Sequence, residues 1–265
     1  MTKVKKGFSL TYLALILIFL YVPIFVLIVL SFNDSEMRNV WGGLTLQWYR
    51  NIPENDAIMS ALVTTLKISL TSSVVATILG TAAAIGIGAM KKRGSQILLG
   101  ATNIPLLNAD IVTGISMMLL ITRFTNLGEM SVIISHIAFS VPYVIFNVLP
   151  RLNSLSPSYY EAALDLGATP VYAFIKVVWP EISSGVLSGF LMAMTMSLDD
   201  FSITYFTKGP GVNTLSTMLY TELRKGIQPE LYALSTILFL VAFLLLFATN
   251  FKSFQLGKKK KGGAK

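Results

Sequence analysis

Three carboxylates stand where carboxylates are costly. Asp110 lies in "NADIVTG", and Asp199 and Asp200 lie in "SLDDF", each within a long apolar run. A charged side chain at bilayer depth costs about 2.5–3.5 kcal/mol on insertion scales, so acids placed there mark a functional path by default. Three acids point to a site for a cation, and a polyvalent organic cation accounts for the neighbours as well. Carboxylates accept charge-assisted hydrogen bonds from ammonium groups, and aromatic faces attract the same groups. Ser197 precedes the acid pair, Tyr205 follows it, and Trp41, Trp48 and Tyr49 lie in one polar loop. The candidate substrate path is therefore Asp110, Asp199, Asp200, Ser197, Tyr205 and Trp48. Two blander readings compete: interfacial anchoring for the tryptophans, and a buried ion pair between Lys67 and one of the acids.

Other chemistries find little support. There is no cysteine, which removes disulfides, zinc–thiolate sites and thiol nucleophiles. The single histidine, His136, argues against a histidine-rich metal site or a Ser-His-Asp triad. No catalytic or metal-ligating residue is assigned, and no cofactor is expected on this chain. Asp110 and Asp200 could pair as acid and base in an intramembrane aspartyl protease. Such enzymes carry a Gly-x-Gly-Asp pattern, however, and "MSLDDF" has no glycine.

The elements that must position these residues are read from hydropathy. The chain has 265 residues, 54% hydrophobic and 13% charged. Soluble domains carry about a quarter charged residues, so the fold class is all-α and the protein is a polytopic membrane protein. Six spans are predicted, near Ser9–Ser31, Leu62–Met90, Ile97–Thr122, Ser131–Leu149, Ser184–Thr207 and Leu231–Phe251. The first is too long for a signal-peptide core and is expected to be retained. Asp110 falls about 13 residues into the third span and the acid pair about 14–15 into the fifth, roughly 20 Å from the same membrane face.

The net charge of +8 could suggest nucleic acid, but its lysines flank apolar segments. "TKVKK", "KKRGS", Arg151, Lys176 and "KSFQLGKKKKGGAK" alternate onto one face. The positive-inside rule puts that face, with both termini, in the cytoplasm. Ser72, Ala76, Gly80, Ala84 and Gly88 recur every fourth residue, a small-residue seam for close helix packing.

One polar island, "EAALDLGATPVYAFIKVVWPEI", interrupts the cytoplasmic side. Ser156 or Ser158 can cap a helix, Pro157 suits its first turn, and Ser158 to Glu161 has capping-box spacing. Gly167 offers a left-handed stop. Thr169 and Pro170 start a second helix, and Pro180 discourages continuation past Trp179. Tyr160, Ala163 and Leu164 share a stripe, while Glu161 and Asp165 repel at i, i+4. A cationic partner would explain that pair.

The island resembles the EAA loop of the membrane subunits of binding-protein-dependent ABC importers. That pattern is Glu-Ala-Ala, three residues, Gly, nine residues, then Ile-x-Leu-Pro. Here it reads Glu161, Ala162, Ala163, Gly167, then Val177, Val178, Trp179 and Pro180. The spacing is intact, with Val for Ile and Trp for Leu. The resemblance implies a type I ABC importer transmembrane domain with a cytoplasmic coupling loop. It gives Glu161, Ala162, Ala163, Asp165, Gly167 and Pro180 the role of docking an ATPase subunit. The chain has no G-x-x-x-x-G-K-[ST] motif, so ATP and its Mg are expected on a partner.

"SLDDFSITYFTKGPG", "NADIVTG", "LTLQWY" and "GIQPELYALSTI" narrow the resemblance to spermidine/putrescine importer permeases of the PotC type. It runs from the first span to the sixth. It implies a bacterial cell-membrane location, a second related permease, a dimeric ATPase and an extracytoplasmic polyamine-binding protein. Ala109 departs from the pattern at a position where the family is expected to have proline. The expected organisation is an N-terminal helix and external loop (1–58), a permease core (59–251) containing the EAA loop (157–182), and a basic tail (252–265). A permease of the same fold for another solute, such as iron, is the alternative.

Overall fold

A computed structural model describes residues 3–35, 40–225, 229–240 and 243. Among these residues the regular structure is helical, apart from one antiparallel bridge between Asn33 and Leu44. The helices are α1 (Lys3–Leu30), α2 (Gln47–Asn51), α3 (Asp56–Ala89), α4 (Lys92–Leu107), α5 (Asp110–Ile121) and α6 (Glu129–Ser154). They continue as α7 (Pro157–Asp165), α8 (Pro170–Ala173), α9 (Trp179–Asp199), α10 (Ser202–Thr207) and α11 (Leu215–Lys225). A shorter apolar helix, α12 (Pro229–Leu240), follows.

Four continuous stretches among the described residues are long and apolar enough to cross a bilayer: Tyr12–Leu30, Asp56–Ala89, Glu129–Ser154 and Pro170–Asp199. They answer to the first, second, fourth and fifth predicted spans. The third span is not one helix. α4 and α5 meet at 105°, broken at Asn108 and Ala109. Both residues are extended, with ψ of 151° and 136°. The break therefore needs no proline at Ala109. The fifth span also differs from expectation. It starts earlier and stops at Asp200, whose ψ of 123° ends α9 before α10 resumes at Ser202. The sixth predicted span lies partly outside the described residues, and the basic tail lies wholly outside them.

The chain divides into two compact units, one from residues 1–59 and 219–265, the other from residues 60–218. In the first unit Asn33 organises the loop after α1. Its side chain donates to Val40 O at 2.8 Å and accepts from Gly42 N at 2.8 Å. Its carbonyl accepts the Trp48 indole N–H at 2.7 Å. Asn55 Nδ2 donates to Glu230 at 2.9 Å in the same unit.

In the second unit α6 is the central post. Its core residues Val144, Ile145, Val148 and Leu149 pack with Ala84 and Ile87 of α3 and with Ile182 and Ala193 of α9. The small-residue seam makes this approach possible. A Cβ on Gly80 would stand 2.6 Å from Val144 Cβ, and one on Gly88 2.6 Å from Leu152 Cδ2. From the opposite side, a Cβ on Gly185 would stand 2.7 Å from Asn147 O. Between helices in lipid, where no hydrophobic drive exists, such close packing supplies the attraction.

Candidate functional site

Two regions carry most of the residues singled out by the sequence. The first is the loop between α6 and α9. α7 starts at Pro157 behind Ser156, but the capping box does not form. Ser156 holds the N-cap position but its Oγ accepts no N–H from the helix end and donates to the Ser158 hydroxyl at 3.2 Å, while Ser158 lies inside the helix. At the other end the expected stop is present. Gly167 has φ +86°. Its N–H donates to Leu164 O at 2.9 Å, and Ala168 N–H donates to Ala163 O at 3.1 Å. This is the paired closure of a Schellman motif, which requires a left-handed residue. Thr169 then caps α8, accepting from Tyr172 N at 3.4 Å.

Pro180 does not end the second helix. The helix runs from Pro170 to Asp199 through a π-wound turn, Phe174–Val178. In that wide turn Trp179 N–H reaches back to Phe174 O. The N–H that proline lacks then falls in the first turn of α9, where it is least missed. Tyr160, Ala163 and Leu164 are half-buried, as their shared stripe requires, and Tyr160 packs on the core cluster. Glu161, Ala162 and Asp165 are exposed. Around them Tyr159, Leu166, Val171 and Tyr172 are exposed to 65%, 89%, 69% and 58%, a concentration of large apolar side chains on one loop.

The second region is where the two broken spans meet. Asp110, Asp199 and Asp200 line one cavity of about 280 Å³, together with Thr113, Thr195 and Ser202. Phe139, Tyr143 and Phe201 supply aromatic wall. None of its described lining residues is a lysine, an arginine or a histidine. Non-helical backbone at membrane depth is tolerated only where protein buries it or where it lines a wet cavity. Both breaks adjoin this cavity, which accounts for their position.

The three acids are not equivalent. Asp110 is the first residue of α5 and is exposed, at the helix end where a carboxylate is favoured. Asp199 is the last residue of α9 and is also exposed. There its charge adds to the partial negative charge of the last carbonyls, which favours a cation beside it. Asp200 is different, with a side chain only 8% exposed. Its carboxylate accepts from Ile203 N at 3.3 Å, Thr204 N at 2.7 Å and the Thr204 hydroxyl at 2.9 Å. Its carbonyl accepts from Ser216 Oγ at 2.6 Å. It closes the start of α10 and holds the chain after the break.

Lys67 does not neutralise the acids. Its ammonium pairs with Glu129 at 2.7 Å on the exterior. The sequence placed it a few residues inside the second span, but α3 begins earlier, at Asp56, and Glu129 opens α6 within reach. Ser197 is buried and does not line the cavity; it bonds His136 Nδ1 at 2.6 Å and Ser72 Oγ at 3.1 Å. Tyr205 is half-exposed among Phe201 and Phe206 and does not line the cavity either. Trp48 belongs to the first unit, where it anchors its loop through Asn33.

His136 is the residue that sequence reasoning passed over. It is 1% exposed, on α6, with Nε2 2.9 Å from Thr204 Oγ1 and 3.4 Å from Asp200 Oδ2. The signal was available, because an ionisable residue inside a predicted span is a functional candidate whatever its type.

Comparison with known proteins identifies the family and the fold. The family model described as "Binding-protein-dependent transport system inner membrane component" matches residues 76–255. The chain is 35% identical over 243 residues to the putrescine transport system permease protein PotI of Escherichia coli (strain K12), covering 89% of this chain and 86% of that protein. It is 32% identical over 233 residues to the spermidine/putrescine transport system permease protein PotC of the same organism, covering 88% of each. Among solved structures, a bacterial ABC transporter involved in import of the acidic polysaccharide alginate superposes with a TM-score of 0.72 at 17% identity, covering 94% of both chains. A bacterial alginate ABC transporter in complex with an alginate pentasaccharide-bound periplasmic protein gives 0.70 at 16% identity, covering 94% of this chain and 93% of that one. These two likenesses establish the fold, an ABC importer transmembrane domain. By the family match and by its two bacterial relatives, the chain belongs to the inner-membrane permease components of binding-protein-dependent transport systems.

Proposed function

We propose that the chain is the polyamine-conducting permease subunit of an ABC importer, driven by ATP hydrolysis in a partner. The observation that carries the substrate class is the cavity at the two helix breaks. Asp110 and Asp199 face it beside aromatic walls, with no lysine, arginine or histidine among its described lining residues. A linear polyamine brings the missing positive charges, and its methylenes suit the aromatic faces. The names of the two bacterial relatives point to the same substrates. A conducting site has to bind weakly enough to release, so tight binding belongs to an extracytoplasmic binding protein. An intramembrane protease would need Asp200 free to share a proton with Asp110, whereas Asp200 is committed to Thr204 and the start of α10.

The exposed EAA loop is the docking element for a dimeric ATPase subunit, with Glu161, Ala162, Ala163, Asp165, Gly167 and Pro180 in the coupling role. ATP and Mg bind that partner, and this chain carries no cofactor. A second related permease completes the path. Both termini and the loop face the cytoplasm. The absence of native cysteine makes orientation measurable, and a Ser158→Cys variant should resist impermeant labels in intact cells.

The decisive experiment is uptake of radiolabelled putrescine and spermidine by the reconstituted transporter with unlabelled polyamines as competitors. Saturable, ATP-dependent uptake is expected. Failure to transport any polyamine, with uptake of another solute instead, would replace the substrate assignment and leave the permease assignment standing.

A further inference from the structure

His136 spans the break between α9 and α10. Its Nδ1 lies 2.6 Å from the hydroxyl of Ser197, less than one turn before the end of α9. Its Nε2 lies 2.9 Å from the hydroxyl of Thr204, on the far side of the break. The Thr204 hydroxyl donates to Asp200 Oδ2 at 2.9 Å, so its lone pair receives the Nε2 hydrogen. Ser197 continues the chain of bonds to Ser72 of α3 at 3.1 Å. One imidazole thus ties α6 and α3 to both halves of the broken span. Its ring also meets Phe139 edge-on at 5.2 Å, and Phe139 is part of the cavity wall.

The clamp reaches the other broken span through packing. Gly114 of α5 lies against α10: a Cβ there would stand 3.1 Å from Ser202 O and 3.2 Å from Ile203 Cα. Asp110 opens that same helix, and Asp199 closes α9. Both exposed carboxylates thus stand on helices joined to the α9–α10 break, Asp199 by the chain and Asp110 by packing of α5 on α10. A buried polar network holds one arrangement because any other leaves buried donors and acceptors unpaired.

We propose that His136 is a positioning residue for transport: by clamping Ser197 and Thr204 across the α9–α10 break, it sets the separation of Asp110 and Asp199 and so selects the length of the cation that passes. Asp200 acts through this clamp, its carboxylate committed to Thr204 and the start of α10. The selectivity part rests on the polyamine reading above, whereas the clamp itself rests on geometry alone.

Two measurements test it. In the complete transporter, uptake per assembled complex is compared for 1,3-diaminopropane, putrescine and cadaverine. His136→Phe should change the ratio between these diamines at least fivefold, and His136→Gln, which retains a donor near Nε2, should restore most of it. Thr204→Val, of nearly the same shape, removes the hydroxyl joining His136 to Asp200 and should shift the ratio the same way even if His136→Phe assembles poorly. An unchanged ratio in Thr204→Val, with rates scaling only with the amount of complex, would reduce the network to a structural one and overturn the proposal. The second measurement needs no polyamine. A Ser202→Cys variant places one thiol on the cavity wall of a chain that has none. Its modification rate by a small cationic thiosulfonate should change at least threefold when Thr204→Val is added, and an equal rate would refute the clamp. If the wild-type transporter carries no polyamine, the substrate reading fails, while this labelling result still decides the positioning role.

Discussion

The cavity at the helix breaks and the loop between α6 and α9 are built in opposite ways. At the breaks, every polar group of the Asp200–Thr204–His136–Ser197 chain finds a partner within the chain. On the loop, acids and large apolar side chains face outward together. On the proposed function, the contrast follows from what each region would meet. A cation in transit would then need carboxylates held in place beforehand; of the three acids lining the cavity, Asp200 is held in the scaffold while Asp110 and Asp199 are exposed. A docking loop needs its own fold closed and its surface unfinished. The Schellman closure at Gly167 and the cap at Thr169 satisfy the backbone. Leu166, Val171 and Glu161 stay exposed, as the proposed docking of a partner requires.

Removing one open carboxylate should give the largest effect. Asp199→Asn and Asp110→Asn each remove a hydrogen-bonded charge interaction of about 1.5–3 kcal/mol, roughly 10- to 150-fold in uptake. Assembly and basal ATP hydrolysis in the complex should stay near wild type. Wild-type uptake in both variants would erase the distinction between open and structural acids.

Asp200→Asn should fail in the other way. Its carboxylate closes α10, and an amide in its place turns one acceptor into a donor facing the Thr204 N–H, at a cost of about 1–3 kcal/mol. Less assembled transporter and a lower melting temperature are expected, with the surviving complex still conducting. If Asp200→Asn assembles normally and loses uptake as Asp199→Asn does, Asp200 belongs with the open acids.

The loop is probed by Gly167→Val. A Cβ there meets no atom within 4 Å, so only the left-handed backbone, at φ +86°, is tested. That strain is about 1–2 kcal/mol, small for the fold but concentrated where α7 turns toward α8. Membrane insertion should be unaffected, while uptake per ATP hydrolysed falls. Tight coupling in this variant would show that the bend is not needed for docking.

The smallest effect belongs to Lys67. Its pair with Glu129 is exposed, at 60% and 36% for the two side chains. Such pairs contribute about 0–1 kcal/mol. Lys67→Met should leave uptake and melting within error, and a strong loss would return Lys67 to the acid cluster.

Several of these structural features were legible before any fold was known. Hydropathy located the first, second, fourth and fifth spans, because twenty apolar residues in a row have few other uses. The seam on α3 was legible from its four-residue spacing, and Gly167 from the residue type that a left-handed stop demands. The breaks were not. A hydropathy window averages over Asn108–Ala109 and Asp200–Phe201, and neither pair contains a proline or a glycine to mark a bend. Extended backbone there is stabilised by partners distant in sequence, such as Ser216 for the Asp200 carbonyl. Pro180 misled for a related reason, since the π turn before it absorbs the missing donor.

What the sequence by itself determined is the set of elements and the chemistry they carry: apolar helices, three acids among them, a loop with family spacing and a glycine that had to turn left. These follow from transfer energies, steric limits and spacing along one chain. Only the tertiary structure decided which acids remain open. Asp199 and Asp200 are adjacent and chemically identical in the sequence. They differ because α6 brings His136 against the chain just beyond one of them, and α10 turns its first N–H groups toward the same carboxylate. Burial and hydrogen-bond satisfaction are properties of the surroundings, and at Asp200 those surroundings come from residues up to 64 positions away along the chain (from His136).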